Sequence, residues 1–323
     1  MRHVVFALVA AILFGTTGTA QALGPDGAAS LSVGSARIVI GGAALALVAW
    51  VLSRRSSTAL RDPMPGGPTS DMLSLHIPNL PEPGPQAPTH TRRRAWPVVA
   101  TGAAAIVAYQ PAFFLGTSIN GVAIGTVVAI GSGPIITGAL EWALTRRFPG
   151  FAWLAATVIA VVGIVLLSGA GESGSADAAG LLLSLAAGAC YAVYALSAKQ
   201  LLVDGWTPTG SVALIFGWSA VGALPLLLLT DLGWLATLEG LVMALWLGLV
   251  TITVACLFLA NGLKSLSAST VATLGLAEPL TATLLGVFVL QEVLSGRAIV
   301  GLVLVVFGLV LIGSLRARRP VPA

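Results

Sequence analysis

Charged residues are scarce in this chain. Of its 323 residues, 16 are Lys or Arg and 12 are Asp or Glu, so the charged fraction is 9%. A soluble globular domain carries about 25% charged residues, and the mean hydropathy of +0.97 departs from such a domain in the same direction. This composition excludes a soluble protein and indicates that lipid covers most of the surface.

Cysteine and histidine are also rare, which argues against an enzyme or a metal site. Cys190 and Cys256 lie in separate apolar runs without metal-ligand spacing, and His3, His76 and His90 lie outside such runs. We therefore expect inert thiols, no metal and no cofactor. A membrane-embedded lipid enzyme would need paired acids or an activated nucleophile at one depth, and the sequence offers neither. No Gly-Lys-Ser/Thr phosphate loop occurs, which excludes ATP hydrolysis by this chain.

Apolar runs long enough to cross a bilayer make up most of the sequence. Each has about 18 to 23 residues, the length that a hydrocarbon core of roughly 30 Å requires of a helix. The ten runs cover residues 4–23, 33–52, 96–115, 122–140, 151–168, 181–202, 211–229, 241–260, 268–290 and 298–315. The sequence therefore predicts an all-α integral membrane protein with ten transmembrane helices.

The positions of the charges predict the topology. Lys and Arg cluster at the N-terminus, in every second loop and at the C-terminus, whereas Asp26, Asp177 and Asp231 fall in the alternate loops. By the positive-inside rule, both termini are cytoplasmic and the protein is a multi-pass protein of the cell membrane. Arg37 and Arg297 depart from this pattern. The net charge of +4 is thus explained by the basic residues that mark the membrane topology, and it gives no reason to expect a nucleic-acid partner.

The N-terminal run also has features of a cleaved signal peptide. Arg2 precedes an apolar segment that ends in an Ala-Gln-Ala sequence at residues 20–22. Cleavage would leave nine spans and would remove a segment that has a counterpart later in the chain. We therefore expect the first run to remain as a transmembrane helix.

Residues 53–94 interrupt the apolar pattern with a dense group of prolines and glycines. The segment has too little apolar surface to offset the entropy of ordering, and its prolines favour extended conformations. We expect a disordered cytoplasmic linker between the second and third spans.

The two halves of the chain resemble each other. Placing Pro134 on Pro279 aligns about thirty following residues without a gap, and it brings Gly163 onto Gly308. The first span aligns more weakly with the sixth, with residues 10–15 over residues 187–192. The repeats are residues 1–52 with 95–168, and residues 177–316. Because each holds five helices, an odd number, the two repeats must be inverted in the membrane.

Several motifs in this order resemble the drug/metabolite transporter superfamily, and specifically its EamA-type ten-helix permeases. The motifs are LFGTTGTA at 13–20, GSAR at 34–37, GVAIGTV at 121–127 followed by GSGP at 131–134, AEPL at 277–280, and QE at 291–292 followed by LSG at 294–296. The resemblance covers the whole chain except the linker. It implies an integral-membrane carrier, often an exporter of amino acids, metabolites or toxic organic compounds, and does not choose among these substrates.

Glu278 is the most informative candidate residue. It lies about 16 Å along its helix from the cytoplasmic start, near the middle of the bilayer, where a carboxylate costs about 2.5 to 3.5 kcal/mol. We expect it to face a wet cavity and to bind a substrate amine or carry a proton, the alternative being a structural hydrogen bond. Its aligned position in the first half is Gly133, so the acid belongs to one half only. Pro134 and Pro279 are expected to bend their helices.

Arg37 and several amphipathic side chains complete the predicted pathway. Arg37 lies about one turn inside the outer end of the second span, where it either reaches inward to a substrate carboxylate or anchors at the outer surface. Buried amides and hydroxyls seek partners, so the predicted pathway also includes polar and aromatic residues within the spans. These are Gln21, Tyr109, Gln110, Tyr191, Tyr194, Trp218 and Asn261. Glu141 is expected to pair with Arg146 and Arg147 at the membrane surface.

These features together favour a secondary active exporter of small molecules that works by alternating access, with proton coupling as the simplest energy source. A carrier of phosphorylated sugars would need Lys or Arg near the middle of the bilayer, and the sequence has no such cluster there. The alternatives are an uncoupled channel or sensor and, more weakly, the lipid enzyme considered above. The expected partners are a small-molecule substrate and the lipid bilayer.

Overall fold

The computed structural model describes residues 2–59, 90–168, 177–291 and 294–317, and within these ranges it contains helices and no β-strand. We number the ten apolar helices α1 to α10. They are α1 Arg2–Ala22, α2 Ser30–Ala59, α3 Ala95–Gly121, α4 Ile124–Thr145, α5 Phe151–Leu167, α6 Ala178–Val203, α7 Pro208–Leu228, α8 Leu238–Leu263, α9 Ala268–Val289 and α10 Gly296–Ala317. Nine are long and apolar enough to cross a membrane, and α5 is a shorter apolar helix of 17 residues.

The helices depart from regular α geometry at three places. The backbone runs helically from His90 to Thr145, and only Gly121, with φ 80° and ψ 156°, separates α3 from α4. Helix α8 contains a π-helical segment, Trp246–Val254. Helix α9 is interrupted at Leu276, one turn before Pro279, because the proline has no N–H to donate to the preceding turn.

The helices extend into both ends of the predicted linker. Helix α2 continues to Ala59, and the helical segment that leads into α3 begins at His90. The two ends of the segment predicted to be a linker, residues 53–59 and 90–94, are therefore helical. Residues 60–89, which hold the proline cluster, lie outside the described residues, as does Glu292.

The helix contacts repeat when the two halves are exchanged. Helix α1 packs against α8 and α9, and its counterpart α6 packs against α3 and α4. Helix α2 packs against its own counterpart α7, and α5 packs against its own counterpart α10. The architecture is thus the predicted ten-helix fold, built from two structurally equivalent halves.

Glycines in the α5–α10 interface show that the halves are inverted. A Cβ atom added to Gly163 would lie 2.7 Å from the Gly301 carbonyl oxygen, and one added to Gly308 would lie 2.8 Å from the Ala156 carbonyl oxygen. Later residues of α5 thus meet earlier residues of α10, so these equivalent helices run antiparallel. Small residues let membrane helices approach at the backbone, which explains why glycine recurs here.

With ten spans, α1 begins and α10 ends on one side of the bilayer. We call this side the terminal face, and the other side the opposite face. The turns that join α4 to α5, α6 to α7 and α8 to α9 lie on the terminal face.

We predict that Gly301→Ala lowers the free energy of unfolding by about 1 to 3 kcal/mol, the usual cost of overpacking. The added methyl group would lie 2.5 Å from the Gly163 carbonyl oxygen, which is backbone and cannot rotate away. The measurement is thermal unfolding of the purified protein in detergent. Gly18→Ala is the matched control, because an added Cβ there has no neighbour within 4 Å. Equal midpoints for the two variants would contradict close contact at this interface.

Candidate functional site: a cavity between the two halves

A cavity of about 120 Å³ lies between the two halves of the protein. Each half contributes eight lining residues, and the two sets come from α1, α2 and α3 on one side and α6, α7, α8 and α9 on the other. The lining residues are Phe14, Thr17, Arg37, Ile38, Ala105, Ile106, Tyr109 and Gln110, together with Cys190, Tyr191, Tyr194, Phe216, Ile252, Cys256, Leu259 and Glu278. The cavity is therefore at the interface at which inverted repeats place their substrate sites.

A second cavity of about 60 Å³ adjoins the first. Tyr109, Tyr191 and Glu278 line both cavities, and the smaller one extends toward the terminal face past Ala7 and Ala272. The carboxyl group of Glu278 thus lies where the two cavities meet, between the central site and the terminal face.

The break in α9 determines the position of Glu278. The residue follows Leu276, where the helix is interrupted, and its half-buried side chain lines both cavities. Helix α1 approaches this segment closely, since a Cβ added to Gly15 would lie 2.6 Å from the Glu278 carbonyl oxygen. Among the described residues, the Glu278 carboxylate has no hydrogen-bond or ion-pair partner. A structural hydrogen bond therefore does not account for this acid.

Arg37 turns inward and lines the same cavity as Glu278. Its Nε atom is buried and has no hydrogen-bond partner in the described part of the protein. The two side chains make no direct ion pair within that part, although both line the same cavity. A cation and an anion thus border one cavity without neutralising each other by contact.

Two further polar groups of the cavity lack a strong hydrogen-bond partner among the described residues. Gln110 is 3% exposed and Tyr194 is 5% exposed, yet the Oε1 atom of the former makes no hydrogen bond there, and the hydroxyl of the latter has only the Cys256 thiol, a weak hydrogen-bonding group, beside it. Burying a polar group without a partner costs about 1 to 3 kcal/mol. Several incompletely paired polar groups in one cavity indicate a binding site, because a bound polar ligand would supply the missing hydrogen-bond partners.

Aromatic rings form much of the remaining wall. Tyr109 stacks on Phe113 with ring centroids 5.6 Å apart, and Tyr194 meets Phe216 edge to face at 5.4 Å. The ring of Tyr191 lies between two glycines. A Cβ atom added to Gly133 would lie 3.4 Å from the Cδ1 atom of this ring, and one added to Gly275 would lie 3.6 Å from its hydroxyl oxygen. The walls can therefore contact an apolar group while the polar atoms fix its orientation.

Three of the predicted pathway residues do not line the cavity. Trp218 is 48% exposed on the outer surface of α7, where its ring meets Trp96 edge to face at 5.5 Å. The Asn261 amide donates to the Leu257 carbonyl oxygen within its own helix, and its backbone carbonyl accepts from the His3 ring. Gln21 lies near the end of α1. Their role in a pathway stays a prediction, and they lie outside this cavity because sequence position gives the depth of a residue and not the face of the helix.

Several lining residues were not among the predicted pathway residues. Phe14 and Thr17 are the repeat counterparts of Tyr191 and Tyr194, so the weak alignment of the first and sixth spans contained the signal that would have found them. Cys190 and Cys256, expected to be inert fillers, both border the cavity.

The two prolines differ in their surroundings. Pro134 lies within the uninterrupted α4 and lines the smaller cavity. Pro279 follows the break in α9. The expected bend at Pro134 stays a prediction, whereas at Pro279 the helix is visibly interrupted.

Glu141 was expected to pair with Arg146 and Arg147, and this expectation was wrong. Its carboxylate instead accepts hydrogen bonds from the backbone N–H groups of Ala268 and Ser269, at 3.2 Å and 3.0 Å. The N-terminus of α9 attracts the acid because its first N–H groups have no partner inside the helix.

The cavity is suited to a small amphipathic molecule. A cavity of about 150 Å³ holds a benzene molecule, so about 120 Å³ and the adjoining space hold a compound of similar size or slightly larger. No group of three or more potential metal ligands among His, Cys, Asp and Glu occurs in the described part of the chain.

Comparisons with known proteins agree with this architecture. Residues 178–314 match the EamA-like transporter family. The chain is 39% identical to the uncharacterized transporter YwfM of Bacillus subtilis (strain 168), covering 96% of this chain and 93% of that protein. It is 31% identical to the protein PecM of Dickeya dadantii (strain 3937), covering 60% of this chain and 67% of PecM. A protein crystal structure superposes with a TM-score of 0.72 over 98% of both chains at 21% identity, which shows a shared fold.

We predict that a small water-soluble thiol reagent alkylates Cys190 faster than Cys256, because the first thiol is half-buried and the second is fully buried. Tyr109→Ala should accelerate the reaction at Cys190 by enlarging the cavity, and Trp218→Ala should not change it. Mass spectrometry of the labelled protein measures both rates. Acceleration by Trp218→Ala equal to that by Tyr109→Ala would contradict the assignment of these residues.

Proposed function

This chain belongs to the EamA-like transporter family, and we propose that it is a secondary active transporter that exports small molecules by alternating access. That it is a multi-pass membrane transporter follows from the family and the apolar helices. The observation that carries the proposal is the cavity to which each half contributes eight residues. If the two inverted halves exchange conformations, such a cavity opens first to one side and then to the other. The direction, export, rests on the family resemblance.

The proposed substrate is a small zwitterion with an apolar side chain. Arg37 suits a carboxylate and Glu278 suits an ammonium group, and they border one cavity without pairing directly among the described residues. Gln110 and Tyr194 add an acceptor and a hydroxyl for further hydrogen bonds. The aromatic walls and the size of the cavity favour an amino acid with an aliphatic or small aromatic side chain.

We further propose that Glu278 carries the coupling proton. It lies at the junction of the two cavities, near a cation that a substrate carboxylate would engage. A carboxyl group at this position can take a proton when the substrate leaves and release it when the ammonium group arrives. Gly133, its repeat counterpart, cannot do so, and a single proton site is therefore proposed for each cycle.

The proposed location is the cell membrane with the terminal face in the cytoplasm. Arg146, Arg147, Lys199 and Lys264 lie toward the terminal face, and the acids at positions 26, 177, 231 and 239 lie toward the opposite face. This distribution satisfies the positive-inside rule.

The substrate class can be tested with three matched compounds: L-valine, isobutylamine and isovalerate. The amine lacks the carboxylate of valine, and the acid lacks its ammonium group. We expect L-valine, or a larger homologue such as L-phenylalanine, to raise the unfolding temperature in detergent more than either single-charge analogue. Stabilisation grows with the ratio of ligand concentration to Kd, and it reaches about 2.7 kcal/mol at a hundredfold excess over Kd.

Arg37→Met should weaken binding of the stabilising zwitterion by about tenfold to a hundredfold, the equivalent of one charged hydrogen bond. Arg146→Gln at the exposed terminal face is the matched control and should bind normally. Stabilisation by isobutylamine as strong as that by the amino acid would contradict a carboxylate site at Arg37.

Proton coupling is tested by Glu278→Gln in proteoliposomes that contain the stabilising amino acid. The amide keeps the size of the side chain but cannot carry a proton, so a pH gradient should no longer drive accumulation. Exchange between internal and external amino acid should persist. Glu239→Gln, at the start of α8 on the opposite face, should respond to the gradient as the unmodified protein does. Gradient-driven accumulation by Glu278→Gln would refute the proposed proton site, and flux that never opposes the substrate gradient in the unmodified protein would indicate a channel.

A further inference from the structure

The turn between α8 and α9 is held by one acidic and one basic side chain from other helices. This turn, residues 263–269, connects the helix that carries Cys256 with the helix that carries Glu278. Glu141 of α4 and Lys199 of α6 both bind its backbone. We call these two side chains and their four contacts the α8–α9 clamp.

Glu141 binds the start of α9. Its two carboxylate oxygens accept from the N–H groups of Ala268 and Ser269 at 3.2 Å and 3.0 Å. The Ser267 hydroxyl caps the same helix by accepting from the Thr270 N–H. A negative charge at a helix N-terminus interacts favourably with the helix dipole, so the contact is electrostatic as well as directional.

Lys199 binds the end of α8. Its Nζ donates to the carbonyl oxygens of Leu263 and Leu266 at 2.7 Å and 2.9 Å. A positive charge at a helix C-terminus is favourable because that end of the helix dipole carries partial negative charge. Each charge of the clamp thus meets the helix end of opposite polarity, and the two together fix a single turn.

Among the described residues, the corresponding turn on the opposite face has no equivalent of the Glu141 and Lys199 contacts. The repeat alignment pairs Glu141 with Gly286, and its continuation along the first span pairs Lys199 with Ala22. The corresponding turn, between α3 and α4, is held through the Asn120 amide, which accepts from the Asp177 N–H at 2.7 Å and donates to the Asp177 carbonyl oxygen at 3.0 Å. The otherwise matched halves therefore differ in the side chains that bind these two turns.

Beneath the clamp, the protein is closely packed. Every residue from Ala268 to Leu274 is buried, and so are Leu263 and Leu266. In contrast, of the segment Ala277–Val289, only Ala277 and Gly286 are buried. Trp153 adds an uncharged contact, donating to the Ser269 carbonyl oxygen at 3.2 Å. The part of α9 that the clamp fixes is thus buried on the side of the cavity that faces the terminal face.

We propose that Glu141 and Lys199 are positioning residues of the transport cycle, which close the cavity on the terminal face by holding the α8–α9 turn. Opening toward that face requires the acid and the lysine to leave the helix ends. The clamp thereby favours the conformation that is closed on the terminal face, and it determines how often Glu278 faces that side. The proposal builds on alternating access but needs no knowledge of the substrate.

The two native cysteines of the cavity provide the test. In proteoliposomes sorted by orientation, a membrane-impermeant thiol reagent is applied from the terminal face, and labelling of Cys190 and Cys256 is followed by mass spectrometry. Glu141→Ala and Lys199→Met should each raise the labelling rate by about threefold to tenfold, the range expected for loss of a charge at a helix end. Labelling from the opposite face should fall or stay constant.

The controls separate the charges from general damage to the fold. Lys264→Met alters a cation that is exposed in the same turn, and Glu239→Gln alters an acid in the first turn of another helix. Both should label as the unmodified protein does. Lys199→Arg keeps the charge and should restore slow labelling, whereas Glu141→Gln keeps the shape but not the charge and should remain fast.

Unchanged labelling from the terminal face in both Glu141→Ala and Lys199→Met would overturn the proposal. Faster labelling from both faces would also overturn it, since that result indicates loosened packing and not a gate. Because no substrate or pH gradient enters this experiment, its failure would leave the proposed substrate and proton site standing. Failure of those proposals would likewise leave the clamp testable.

Discussion

Charge cannot face lipid without large cost, and this constraint shapes the whole protein. Transmembrane backbone satisfies its polar groups inside helices, and the few charged side chains within the spans must face protein or a cavity instead of lipid. Arg37 and Glu278 reach the interface between the two halves, where they line one cavity. The remaining helix faces are apolar and contact the lipid of the bilayer.

The scaffold around this cavity is symmetric, and its symmetry depends on glycine. Gly163 and Gly308 occupy equivalent positions, and each lets its helix approach the partner at the backbone. Close contact between α5 and α10 therefore repeats on both sides of the axis. Such matched interfaces permit two conformations of similar energy, which is what alternating access requires.

The chemistry placed on this scaffold is asymmetric. Glu278 aligns with Gly133, Glu141 with Gly286 and Lys199 with Ala22. The fold is thus shared by the halves, while the polar groups that we propose to bind, couple or close belong to one half or the other. An exchange of conformations between the halves would therefore not be energetically neutral, because Glu141 and Lys199 bind the α8–α9 turn on one face, whereas the Asn120 amide binds at the corresponding turn on the other.

The sequence by itself determined the membrane class, the ten spans and the inverted repeat, because hydropathy, charge placement and self-similarity act along the chain, and it singled out Glu278 as an acid within a span. It also brought Arg37, Tyr109, Gln110, Tyr191 and Tyr194 into consideration, and these residues do share one cavity. Only the tertiary structure decided which face of each helix turns inward. It excluded Trp218 and Asn261 from the lining, included both cysteines, and placed Glu141 on a helix end more than a hundred residues away. Depth in the membrane follows from position in the sequence, whereas rotation about a helix axis depends on packing against neighbours that the sequence does not name.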